Sequence, residues 1–127
     1  MFSHVTIGIQ DPRAFAFYDA ALAPLGIRRV PGTKYAGWAS WQRSGHTVTL
    51  WVGNPQNGQP ANHGNGWMVA FSASSRAAVD AAYAAAIAAG GTDEGAPGLR
   101  PHFTPDYYGA YVRDPEGNKL HFVTRGI

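Results

Sequence analysis

Cysteine is absent from the 127 residues, and with it go disulfides, thiolate metal ligands and a cysteine nucleophile, a pattern compatible with a reducing compartment. Charge is scarce too. Asp, Glu, Lys and Arg make up 14% of the chain and the net charge is +2. The Lys and Arg residues are scattered, with one doublet at Arg28 and Arg29, so the basic stripe that neutralises phosphates is missing and no nucleic-acid partner is expected. Long apolar runs are lacking as well. The longest tract, AAVDAAYAAAIAA, is alanine-rich, broken by Asp80 and too short for a bilayer, so no membrane partner is expected. The start, MFSHVTIGIQDPR, has no basic region followed by a long apolar stretch, hence no visible signal peptide. A soluble, cytoplasmic protein is the expectation. What remains is globular: hydrophobic residues reach 45%, enough for the core of a single domain of this length.

The first segment alternates with period two, Val5, Ile7 and Ile9 on one face and His4, Thr6 and Gly8 on the other, as a half-buried strand does. The period then changes. Asp11 is placed to cap a helix whose first turn begins at Pro12; Phe15, Tyr18, Leu22 and Leu25 follow at helical spacing, and Gly26 stands at the C-terminal cap. From Met68 the pattern returns. Val69, Phe71 and Ala73 alternate with Met68, Ala70 and Ser72; Ser75 is a second capping residue; Val79, Ala82, Ala86 and Ala89 form a stripe that ends at Gly90. His4 and Met68, Asp11 and Ser75, Phe15 and Val79, and Gly26 and Gly90 are all 64 positions apart. Half of the chain is duplicated.

Each half continues as strands rather than a second helix: IRRV, AGWASWQR and HTVTLWV in the first, GTDE, YYGAYVR and NKLHFVT in the second. The turns RSGH and DPEGN separate the last two runs of each half. The expected fold class is therefore α+β, two βαβββ modules in tandem forming a curved mixed sheet around a cup, with the helices on its outer face. Module one spans residues 1–53, a Gly-, Asn- and Pro-rich linker 54–65, and module two 66–127. Pleat parity assigns Val5, Ile7, Val48, Leu50, Val69, Phe71, Leu120 and Phe122 to the helix side. His4, Thr6, Thr47, Thr49, Trp51, Met68, Ala70, Lys119 and His121 go to the opposite face.

This layout, with HVTIGIQDPRAFAFYDAALAPLGI at the front and YYGAYVRDPEGNKLHFV at the back, resembles the glyoxalase, bleomycin-resistance and dioxygenase superfamily, the vicinal oxygen chelate proteins. The resemblance implies paired modules around a cup, often a homodimer, and in many members a divalent metal held by His and Glu from the cup-facing position of the first and last strand of each module. Mapped on this chain, those positions are His4, Thr49, Met68 and His121, so a hydroxyl, a thioether and an imidazole stand where other donors are usual.

Two imidazoles suit zinc, iron, nickel or manganese, but an open catalytic centre needs three or so protein ligands. His102, Asp106, Tyr107 and Tyr108 are the candidates to complete one; His46 and His63, at a turn and in the linker, read as surface residues, and Asp11, Asp114 and Glu116 as cap and turn residues. Two readings follow. One is a binding protein with an eroded metal site that takes a small, aromatic or oxygenated molecule against His4, Thr49, Trp51, Met68 and His121. The other is a metal-dependent lyase or dioxygenase using His4, His121 and a third ligand. Trp38, Trp41, Trp67 and Tyr111 add aromatic surface divided between core and cup, and Arg43 and Arg113 hold comparable places before the two hairpins, on the rim. An interaction subunit with a filled cup is the third class.

Overall fold

The computed structural model describes residues 1–125. Module one runs β1 (His4–Gly8), α1 (Ala14–Leu22), a 3₁₀ turn (Ala23–Leu25), β2 (Ile27–Arg29), β3 (Trp38–Arg43) and β4 (Thr49–Gly53). Module two repeats the order with β5 (Val69–Ser72), α2 (Arg76–Ala88), β6 (Thr92–Leu99), β7 (Tyr108–Arg113) and β8 (Lys119–Thr124). The strands form two separate four-stranded mixed sheets, β1-β4-β3-β2 and β5-β8-β7-β6. In each, the first strand pairs in parallel with the last, and the other pairs are antiparallel. The duplication read from the sequence is thus a duplication of topology.

The helices start differently. Ser75 caps α2, its hydroxyl accepting from the Ala78 N–H at 3.1 Å, as Ser does at this position. Asp11 caps the turn that leads into α1, its carbonyl taking the Ala14 N–H at 3.0 Å. Its carboxylate accepts from the N–H and Nε of Arg13, and the helix begins only at Ala14. Both helices end near a glycine with positive φ, Gly26 at 73° and Gly90 at 98°, a conformation that costs glycine least.

One continuous hydrophobic core joins the modules. It holds Ile7, Trp41, Leu50 and Val52 from the first sheet, Phe71, Val112, Leu120 and Phe122 from the second, and Phe17, Tyr18, Leu22, Val79, Ala82 and Ala86 from the helices. The alanine stripe of α2 has a purpose here, because small side chains let α1 and β7 approach that helix closely. Each large apolar side chain removed from water in this core contributes about 1.5–3 kcal/mol. Both sheets turn their apolar face to this shared core, so the opposite faces, carrying His4, Thr6 and Thr49 on one sheet and Ala70, Ser72 and His121 on the other, point away from it.

The registers refine the internal symmetry. Gln42 pairs with Thr49, whereas Arg113 pairs with Lys119, so the first hairpin carries one more loop residue than the second. Arg43 therefore corresponds to Asp114, and Arg113 to Gln42. The comparable places expected for the two arginines do not exist, because the extra loop residue shifts one strand against the other.

The second hairpin is cross-tied. Buried Asp114 accepts from the Tyr18 hydroxyl at 2.6 Å, the Asn118 side-chain amide at 2.8 Å and the N–H groups of Glu116 and Asn118 at 2.8 and 2.9 Å. Glu116 takes the N–H groups of Gln10 and Asp11 at 2.6 and 2.7 Å. The Asn118 amide also donates to the Gly8 carbonyl at 3.1 Å. The residues read as turn formers thus bind module one to module two.

Candidate functional site

On β8, parity places His121 opposite Leu120 and Phe122, and the ladder sets it between Ala70 of β5 and Tyr111 of β7. The ring is fully buried. Tyr111 lies flat on it, centroids 3.9 Å apart and planes 7° from parallel, and Tyr107 is nearly parallel at 5.7 Å. Its Nδ1 is 2.9 Å from the Ala110 carbonyl and its Nε2 is 2.8 Å from the Tyr107 hydroxyl. A carbonyl only accepts, so Nδ1 carries the proton and the Nε2 lone pair receives the phenol. Burial pushes the His121 pKa down, with Arg100 and Lys119 adding to the fall, and burial pushes the Tyr107 phenol up. Both shifts favour the neutral pair, so the dyad is a poor proton acceptor near neutrality.

Cations surround this stack. The Arg100 guanidinium lies 5.6 Å and the Lys119 ammonium 5.2 Å from the Tyr111 ring centroid. Beside it a hollow of about 350 Å³ is lined by Ala70, Ser72, Tyr107, Thr124 and Arg125 among others.

His4 stands elsewhere. It is exposed on β1, hydrogen-bonded to the Ser3 hydroxyl at 2.9 Å and paired across the ladder with Thr49. Trp51, half-buried on the same face, meets Tyr35 edge to face at 5.7 Å. Thr49 and Met68 both line a second, larger cavity of about 570 Å³. Thus the structure brings His4 beside Thr49, and Thr49 near Met68, while His121 sits in the other sheet; among the described residues no hydrogen bond or ring contact joins the two imidazoles.

The other candidates scatter. His102 meets Phe103 at a tilt, centroids 4.2 Å apart, and Phe103 in turn meets Tyr107 at 4.8 Å. Tyr108 donates to Asp80 at 2.6 Å. Asp106, His46 and His63 are exposed. Among the described residues no three His, Asp or Glu side chains converge so as to hold an ion. The fit to a divalent metal is poor on donor chemistry: one imidazole has its lone pair engaged by a phenol, and the mapped partners are a hydroxyl and a thioether without a carboxylate.

Sequence reasoning missed Tyr111 as the cover of His121. The signal was present, since a hairpin closed by DPEGN with Arg113 opposite Lys119 places Tyr111 opposite His121.

The model of the Glyoxalase/Bleomycin resistance protein/Dioxygenase superfamily matches residues 2–122. The chain belongs to that superfamily. A glyoxalase/bleomycin resistance protein from Albidiferax ferrireducens T118 is 43% identical, with a TM-score of 0.83 over 97% of each chain. A glyoxalase-related enzyme from Fulvimarina pelagi shares 21% identity at a TM-score of 0.74, over 97% of this chain and 86% of that one. A glyoxalase/bleomycin resistance protein/dioxygenase family enzyme from Burkholderia phytofirmans PsJN shares 22% at 0.73 over 97% of each. The last two likenesses speak for the fold alone. No curated protein matches the chain. In this member of the superfamily no helix is long and apolar enough to cross a membrane among the described residues.

Proposed function

We propose that this superfamily member binds a small, planar, oxygenated molecule on the polar face of its second sheet and does so without a tightly held metal. The observation that carries the reading is the engagement of both His121 nitrogens, one by a backbone carbonyl and one by Tyr107. An imidazole built into such a stack serves as wall and hydrogen-bond relay rather than as a ligand waiting for an ion. The Tyr107 hydroxyl, Ser72, Thr124 and Arg125 supply polar contacts around the hollow, and the positive charges of Arg100 and Lys119, which form no ion pair among the described residues, favour an electron-rich or anionic guest. The hollow is open. A second copy that lays its first sheet over this face would close it and would bring His4, Thr49 and Trp51 toward the guest, so a homodimer belongs to the proposal.

The test is a thermal-shift screen of hydroxylated aromatic compounds, with metal analysis of protein purified without chelator. Compounds that stabilise the protein, and lose that effect in Tyr107→Phe, support the reading. Stoichiometric zinc, iron, nickel or manganese that disappears in His121→Ala would overturn it in favour of the metal-dependent enzyme. Sedimentation measures the oligomer.

A further inference from the structure

The larger cavity lies between the first sheet and β5. Its wall is built from Val5, Trp41, Val48 and Leu50 of module one and Trp67, Met68 and Phe71 of module two, so it opens between the modules. At about 570 Å³ it is within the range of pockets that enclose small organic molecules. Its mouth keeps unusual apolar surface in water, with Val48 43% and Trp67 48% exposed.

The polar groups of the wall are one-sided. Arg43 and His46 line it, together with Gln42, Thr49 and Ser72, and no Asp or Glu does. Arg43 spends Nε on the Leu25 carbonyl at 3.0 Å and Nη2 on the Ser72 carbonyl at 2.5 Å. Among the described residues it has no carboxylate partner and Nη1 makes no hydrogen bond. A guanidinium in an apolar wall with neutral acceptors only is matched by an anion that brings its own apolar body.

The opposite module shows what such a place holds when the chain fills it. There Asp114 stands where Arg43 stands; its carboxylate and that of Glu116, two residues on in the same turn, point into the junction and are hydrogen-bonded.

We propose that this cavity binds an amphipathic organic monocarboxylate, its ring-bearing body between Val48, Trp67 and Phe71 and its carboxylate on Arg43. The site shares Ala70 and Ser72 with the hollow by Tyr107, but Arg43, Val48 and Trp67 line it alone, so its test reads apart from that of the hollow.

Fluorescence titration with 1-naphthaleneacetate, and with the neutral 1-naphthaleneacetamide as isostere, tests it, because Trp41 and Trp67 in the wall report occupancy. The acid binds at least roughly tenfold more tightly than the amide. Arg43→Gln removes that preference while sparing the amide, Arg43→Lys retains part of it, and Val48→Trp, which fills the mouth, abolishes binding of both. Tyr107→Phe leaves both affinities unchanged. Circular dichroism and melting curves establish that each variant is folded. Equal affinity for acid and amide, equal loss of both in Arg43→Gln, or no binding at all overturns the proposal. The same holds if Val48→Trp turns a dimer into monomers, since the mouth would then be covered by a second copy.

Discussion

The two hairpins that close the sheets hold the same place in their modules and solve opposite electrostatic problems. In the second, buried Asp114 gathers four donors and Glu116 two more, so the junction with module one is filled and satisfied. In the first, Arg43 holds two carbonyls, and His46, whose N–H closes the turn on the Arg43 carbonyl, makes no side-chain hydrogen bond among the described residues and lines a cavity instead. One copy of a duplicated junction has become a clamp. The other has kept room. The difference teaches that a duplicated fold can diverge at equivalent positions, cross-links concentrated on one side and open space on the other.

The largest test of this divergence removes the clamp. Asp114→Ala leaves Tyr18, Asn118 and two N–H groups without their acceptor and costs roughly 3–4 kcal/mol, read as a fall in the urea midpoint. Arg43→Ala costs about 1 kcal/mol, because its two bonds to carbonyls are half-buried and exposed and water can take the place of the guanidinium. Equal losses would break the comparison.

A smaller effect follows from the strands beside the hairpins. A Cβ on Gly109 would stand 2.5 Å from the Cε1 of His121 and 3.1 Å from the Phe122 carbonyl oxygen, so Gly109→Ala costs about 1–3 kcal/mol through overpacking. Its counterpart in module one is Trp38, which covers Gly53 in the same ladder. The two modules have exchanged large and small. Gly109→Ala also disturbs the stack on Tyr111, visible as a change in near-ultraviolet circular dichroism.

The smallest effect is one of pH. His121, whose counterpart is Trp51, has its pKa depressed by burial below the ordinary 6.5, so the unfolded chain takes up the proton more readily than the folded one. The stabilising contribution is complete above about pH 6.5 and is lost as the pH falls through the folded value. Urea midpoints at about pH 7.5 and 5.5 should diverge in the wild type and converge in His121→Gln; parallel behaviour of the two would place the acid sensitivity elsewhere.

Much of the fold was legible because duplication and strand alternation are local signals. Val5, Ile7, Leu50, Phe71, Leu120 and Phe122 all fall on the faces that parity assigned. The start of α1 was less so, because Gln10 and Asp11 spend their N–H groups on Glu116, more than a hundred residues away. β6 was read as GTDE but runs Thr92–Leu99, register shifts at Gly95 and Gly98 letting it carry Pro97 at the sheet edge. Within the site, parity gave the face of His121 but not its closure by Tyr107, which depends on how the 100–107 loop folds back; nor did any local signal show that one extra residue sets Arg43 against Asp114.

The tie between Tyr18 and Asp114 spans 96 positions. During synthesis the first helix leaves the ribosome long before its carboxylate partner exists, so module one waits, unclamped, until the last hairpin emerges. Translation speed over the β7–β8 hairpin then decides how long a nascent chain stays exposed to aggregation and to proteases.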